Sequence, residues 1–115
     1  VSGLTTHVLD LAAGRPAAGV AIRLLARSGD DCGLLAAARA DADGRSRLLA
    51  PGDLTAGGYR LEFDVGAYFR EAGATSAEPG FLETIVIDFN VADAEQHHHV
   101  PLLVSPFGYS TYRGS

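Results

Sequence analysis

Turn punctuation constrains this chain most. Glycine, proline and aspartate recur at short intervals, as in Ala13-Gly14-Arg15-Pro16, Ser28-Gly29-Asp30-Asp31, Asp41-Ala42-Asp43-Gly44 and Ser105-Pro106-Phe107-Gly108. Each favours a turn for a local reason: glycine accepts positive φ, proline pre-sets φ, and aspartate bonds nearby backbone N–H groups. Between such turns the chain reads as short strands over residues 5–11, 20–27, 34–40, 45–49, 59–65, 84–91, 98–104 and 109–112. The segment 59–65 alternates cleanly, with Tyr59, Leu61, Phe63 and Val65 on one face and Arg60, Glu62 and Asp64 on the other. Residues 84–91, Thr-Ile-Val-Ile-Asp-Phe-Asn-Val, are rich in β-branched side chains. Leu-Leu-Ala-Ala-Ala-Arg in 34–39 favours helix by propensity, but it lies between two tight turns and is too short for a stable helix, so strand is expected. Residues 67–72 read as one or two helical turns closed by Gly73, and 75–80 as a loop. Many short strands with one short helix predict an all-β sandwich.

Composition narrows the function classes. With 115 residues, 47% of them hydrophobic, the chain has material for a single domain (1–115) with one core, and it is too apolar to be disordered. No stretch approaches the roughly 20 apolar residues that span a bilayer. The net charge of −5 gives no basic footprint for nucleic acid. A lone cysteine, Cys32, makes no internal disulfide, and its acidic neighbours Asp30 and Asp31 disfavour the reactive thiolate. No charged segment leads into an apolar export signal, which predicts a cytoplasmic protein.

The histidines are the candidates for chemistry. Three are consecutive, His97, His98 and His99, and the fourth is His7. Strand alternation puts His97 and His99 on the face of Pro101 and Leu103, and His98 on the opposite face with Val100, Leu102 and Val104. The three therefore cannot ligate one metal together, and His98 is expected to be a core histidine with a single hydrogen-bond partner. Taken singly, His7 reads as an ordinary strand histidine and Arg45 as a solvated turn residue. Together, two imidazoles and a guanidinium could activate a water and stabilise an oxyanion. The chain closes on Tyr109-Ser110-Thr111-Tyr112-Arg113-Gly114-Ser115, rich in hydrogen-bonding groups, which reads as a tethered end.

These residues also fall into a familiar order. Leu-Thr-Thr-His-Val-Leu-Asp (4–10), Gly-Arg-Pro-Ala (14–17), Asp-Gly-Arg (43–45), Tyr-Arg-Leu-Glu-Phe-Asp (59–64), Ala-Tyr-Phe (67–69) and His-Val-Pro-Leu-Leu-Val-Ser-Pro-Phe-Gly-Tyr-Ser-Thr-Tyr-Arg-Gly-Ser (99–115) follow one another. Over essentially its whole length the chain resembles the 5-hydroxyisourate hydrolases of the transthyretin-related family. The terminal Tyr-Arg-Gly-Ser separates these hydrolases from the hormone carriers that share their fold.

The resemblance implies a sandwich of two four-stranded sheets with one short helix. It implies a homotetramer around a central channel, with active sites at the dimer–dimer interface. By the same resemblance His7, Arg45, His99 and Ser115 are catalytic. His7, Arg45, Tyr112, Arg113 and Gly114 bind substrate, and neither metal nor cofactor is needed. The alternation groups His7 with Leu9, and His99 with Pro101 and Leu103, on what would be the channel face, together with Ser110 and Tyr112. One position departs from the family's usual His-Tyr-His: His98 stands where tyrosine is expected, on the face away from His99. Two alternatives remain, a transthyretin-like carrier that binds without turnover and a plain β-sandwich interaction module. Removal of Arg113 to Ser115 separates them from the enzyme, which alone would lose its pocket.

Overall fold

The computed structural model describes residues 3–74 and 79–114, and the expected loop falls partly outside them. Its strands are β1 (Leu4–Asp10), β2 (Arg15–Pro16), β3 (Ala21–Ser28), β4 (Asp31–Arg39), β5 (Arg45–Leu49), β6 (Gly57–Asp64), β7 (Thr84–Val91), β8 (His98–Ser105) and β9 (Gly108–Thr111). One helix, α1 (Val65–Glu71), follows β6 directly. A sheet ordered β4-β3-β6-β7 packs over a second ordered β2-β1-β8-β9, in which β5 also pairs with β1. No helix among the described residues is long and apolar enough to cross a membrane.

The alternation read from sequence is what builds the core. Leu4, Val8, Val100, Leu102 and Val104 from one sheet meet Ile22, Leu24, Leu61, Phe63 and Ile85 from the other, all buried. Polar groups that enter this layer are paired, as burial requires. The Thr6 hydroxyl donates to the Val100 carbonyl at 2.6 Å, and His98 Nδ1–H donates to the Gln96 carbonyl at 2.9 Å. Asp10 accepts from the Ala12 and Ala13 backbone N–H groups and from the Tyr68 hydroxyl, which ties α1 to the end of β1. His98 is thus the core histidine that its parity in the strand predicts.

Some features differ from the sequence reading. Arg15–Pro16, expected to end the first strand as a turn, instead forms a two-residue strand antiparallel to Leu9 and Asp10, so one sheet exceeds four strands. Residues 34–39 are strand as expected, but β4 begins earlier and carries a bulge: Leu24 faces Ala36 and Leu25 faces Leu34, which leaves Leu35 as an extra residue. As expected, β8 starts at His98, and His97 lies exposed just before it.

Candidate active site

The outer face of the β5-β1-β8 strip presents two rows of polar side chains. Register places Arg47 beside Thr5 and Thr5 beside His99; in the next row Arg45 lies beside His7 and His7 beside Pro101. Parallel pairing of β1 with β8 is what aligns the two histidine-bearing strands, because residues in register share a face. The Asp41–Arg45 turn delivers β5 to this strip. Asp41 Oδ1 accepts from the Asp43 and Arg45 backbone N–H groups, at 2.9 and 3.0 Å. Gly44 takes φ +77°, and a Cβ there would collide with the Val8 carbonyl oxygen, so glycine alone lets the turn lie against β1.

A cleft of about 330 Å³ opens over these rows, lined by Thr5, Asp41, Arg45, Arg47, His97 and His99 among others. That volume lies near the lower end of the roughly 300–1,000 Å³ typical of small-molecule sites. Most arginines of the chain are engaged elsewhere: Arg23, Arg27, Arg60 and Arg70 with carboxylates, Arg39 with the Gly19 carbonyl, and Arg113 with Gln96. The guanidinium groups of Arg45 and Arg47, by contrast, have no hydrogen-bond or ion-pair partner among the described residues. They are two unspent cations facing one cleft, a disposition suited to an electron-rich oxygen.

The imidazoles are fixed by their partners. His7 Nε2 lies 2.9 Å from the Asp43 carbonyl oxygen; a carbonyl only accepts, so His7 carries its proton on Nε2 and keeps a lone pair on Nδ1 when neutral. His7 sits beside the cleft rather than in its lining. Half-buried His99 places Nδ1 2.8 Å from the Thr5 hydroxyl, and its Nε2 has no protein partner among the described residues. Partial burial, then the neighbouring charges of His7, Arg45 and His97, push His99 below the usual histidine range. An imidazole so placed stays neutral and basic near neutral pH.

Among the described residues, the C-terminal segment comes up to His99 at Gly114. The Gly114 N–H donates to the His99 carbonyl at 2.8 Å, and a Cβ on Gly114 would stand 2.6 Å from His99 Cδ2. Only glycine lets the backbone pass this close to the ring. The Arg113 guanidinium turns to Gln96, 3.0 Å away. Tyr112 lines a separate hollow with Ile87, Phe89, His98 and Val100, so within one protomer it is not part of the His99 cleft. Ser115 lies outside the described residues. The fold therefore brings together His99, Arg45 and Gly114 with His7 alongside, and sets Tyr112 and Arg113 apart.

Residues 4–114 match the HIUase/Transthyretin family. The chain belongs to that family. A 5-hydroxyisourate hydrolase of Caulobacter vibrioides is 58% identical, with 100% of both chains covered. The structure of Klebsiella pneumoniae 5-hydroxyisourate hydrolase is similar with a TM-score of 0.82 at 38% identity, again over 100% of each chain. An (S)-allantoin synthase structure aligns with a TM-score of 0.89 at 39% identity over 98% of this chain, which spans 43% of that longer one.

Sequence reasoning missed Thr5 and Arg47 as site residues. A signal was present: each lies two positions from a residue that was singled out, His7 and Arg45, and so shares its face of the strand.

Proposed function

We propose that this chain hydrolyses 5-hydroxyisourate to 2-oxo-4-hydroxy-4-carboxy-5-ureidoimidazoline. The observation that carries this reading is the pairing, in one small cleft, of an open and weakly protonated His99 Nε2 with the two unpartnered guanidinium groups of Arg45 and Arg47. The names of full-length relatives support the same substrate.

In this reading His99 Nε2, with His7 beside it, takes a proton from a water as its oxygen attacks the lactam carbonyl. Arg45 holds the carbonyl oxygen and stabilises the charge that develops there. The proton then goes to the departing ring nitrogen, which leaves a ureido N–H and a carboxylic acid that gives its remaining proton to water. Gly114 lets the end of the chain pass close to the His99 ring, and the Ser115 hydroxyl orients the substrate; Tyr112 and Arg113, set apart from this cleft within one protomer, are assigned that role only toward the site of a neighbouring copy. No metal or cofactor takes part in this scheme. The cleft is walled by one sheet face only, and we assign its opposite wall to a neighbouring copy in a homotetramer whose sites lie between dimers. A transthyretin-like carrier would want an apolar lining, which two free arginines and two histidines do not provide.

The test is the ultraviolet decay of 5-hydroxyisourate, generated in place from urate by urate oxidase, with and without the protein. Accelerated decay that disappears in Arg45→Ala is the expected result. Unchanged decay with the folded protein removes the hydrolase reading.

A further inference from the structure

The Thr5 hydroxyl touches two imidazoles at once. Its oxygen lies 2.9 Å from His97 Nε2 and 2.8 Å from His99 Nδ1. The register explains the bridge: Thr5 is aligned with His99 across the parallel β1–β8 pair, and His97 precedes His99 by two residues. A hydroxyl has one proton to donate, so it serves two neutral imidazoles only in opposite senses. One ring nitrogen must be bare and receive the Thr5 proton, while the other must carry a proton and donate it to Thr5. The tautomers of His97 and His99 are therefore locked to each other through one atom.

We propose that Thr5 relays a proton between His99 and His97, so that exposed His97 holds the positive charge while the tetrahedral intermediate exists. This rests on the hydrolase reading above. In the resting arrangement Thr5 donates to His97 Nε2, His99 Nδ1–H donates to Thr5, and His99 Nε2 is bare toward the cleft. When Nε2 takes the proton of the attacking water, His99 becomes an imidazolium. Its Nδ1 proton passes to Thr5 as the Thr5 proton passes to His97 Nε2. His99 is then neutral with a proton on Nε2, and His97 is cationic. Donation of the Nε2 proton to the leaving nitrogen runs the relay backwards and restores the start, with no net change in protons on the protein.

The surroundings explain why the charge should move. His99 is half-buried and faces His7 from β1, Arg45 and Arg47 from β5, and His97 from its own segment. Asp41, the acid of the cleft lining, already has Oδ1 occupied by two backbone N–H groups. A cation on His99 thus meets like charges with little solvent to screen them, whereas on His97 it is in water. The arrangement makes Thr5 a positioning residue and gives His97 a task in the reaction.

The experiment compares Thr5→Val, Thr5→Ser and His97→Ala with the wild type, by 5-hydroxyisourate turnover and by ¹⁵N NMR of the ring nitrogens. In the wild type, His99 should be mainly protonated at Nδ1, and this preference should vanish in Thr5→Val. We expect Thr5→Val to lower kcat by about 10²-fold, the low end for a positioned proton-transfer group, with KM little changed. Thr5→Ser, which keeps the hydroxyl, should recover most of the loss. His97→Ala should be slow in dilute buffer and rescued by added imidazole, because free imidazole can serve as the proton outlet. Wild-type kcat in Thr5→Val, failure of Thr5→Ser to recover activity, or a His97→Ala rate indifferent to imidazole would each overturn the relay and leave the hydrolase reading intact. If the wild type gives no turnover, the hydrolase reading falls instead. The ring spectra then decide the Thr5 coupling alone: His99 tautomers unaltered in Thr5→Val would end it.

Discussion

The surroundings of His99 suit it to the role of base proposed above. Partial burial and the neighbouring charges of His7, Arg45 and His97 all disfavour its protonated form. Its activity should therefore persist below the ordinary histidine value of about 6.5 and fade only as pH falls through the lower value it has in the folded protein. Arg45→Ala removes one of those charges, so an NMR titration should find the His99 midpoint raised toward the ordinary value. The same substitution should cost about 10²–10³-fold in kcat, the scale seen when an oxyanion donor is lost. For His99→Asn or His7→Asn the expected loss is about 10²–10⁴-fold with the fold intact, read from initial rates beside circular dichroism. The sequence pointed to His7 and His99 through strand alternation and the family's motifs and to Arg45 through the Asp-Gly-Arg motif, and the structure sets all three along one strip of strands. For Thr5 the sequence shows only that it shares a face with His7, and its place between two imidazoles comes from the register. The tautomer of His7 was not legible, because it depends on the Asp43 carbonyl, which the chain brings back only in the folded state.

At the scale of elements, the site depends on two close backbone approaches. Gly114→Ala would place a methyl group 2.6 Å from His99 Cδ2, so either the ring or the terminal segment must move. We expect a fall in kcat with a melting temperature near that of the wild type, because Gly114 lies outside the core. The four-stranded sheet supplies a separate prediction on its outward face. Arg23, on β3, pairs with Glu62 and with both oxygens of Asp64, on β6, and holds the Asp64 carboxyl below the usual range. An acid whose folded value is depressed contributes its stability above its unfolded value of about 3.9 and loses it as pH falls through the folded one. The melting temperature should thus drop on acidification below about pH 4, and Arg23→Met should flatten that drop. The pair is about a third exposed, so its contribution is on the order of 1 kcal/mol or less. Most element positions were readable beforehand; residues 45–49 and 84–91 coincide with β5 and β7. Arg15–Pro16 was not readable, because two residues carry no periodicity and pair only through the return of the chain along β1.

Across the whole molecule, the proposed site and the sheet edges both bear on assembly. We expect light scattering to give the mass of four chains, and a single-chain mass would remove the neighbouring copy from the proposed site. The bulge at Leu35 bears on how such assembly stops. β4 and β7 are the two outer strands of one sheet, and both offer unpaired backbone groups. On β4 the bulge interrupts the regular spacing of those groups and adds local twist, next to exposed Leu34 and Leu35. β7 pairs with β6 without any such irregularity. The two edges of this sheet therefore differ: β7 is regular, whereas β4 is blunted by its bulge against further strand pairing. A chain with two regular edges could add copies without end and become a fibre. In this sheet one extra residue, Leu35, keeps the two edges from being alike.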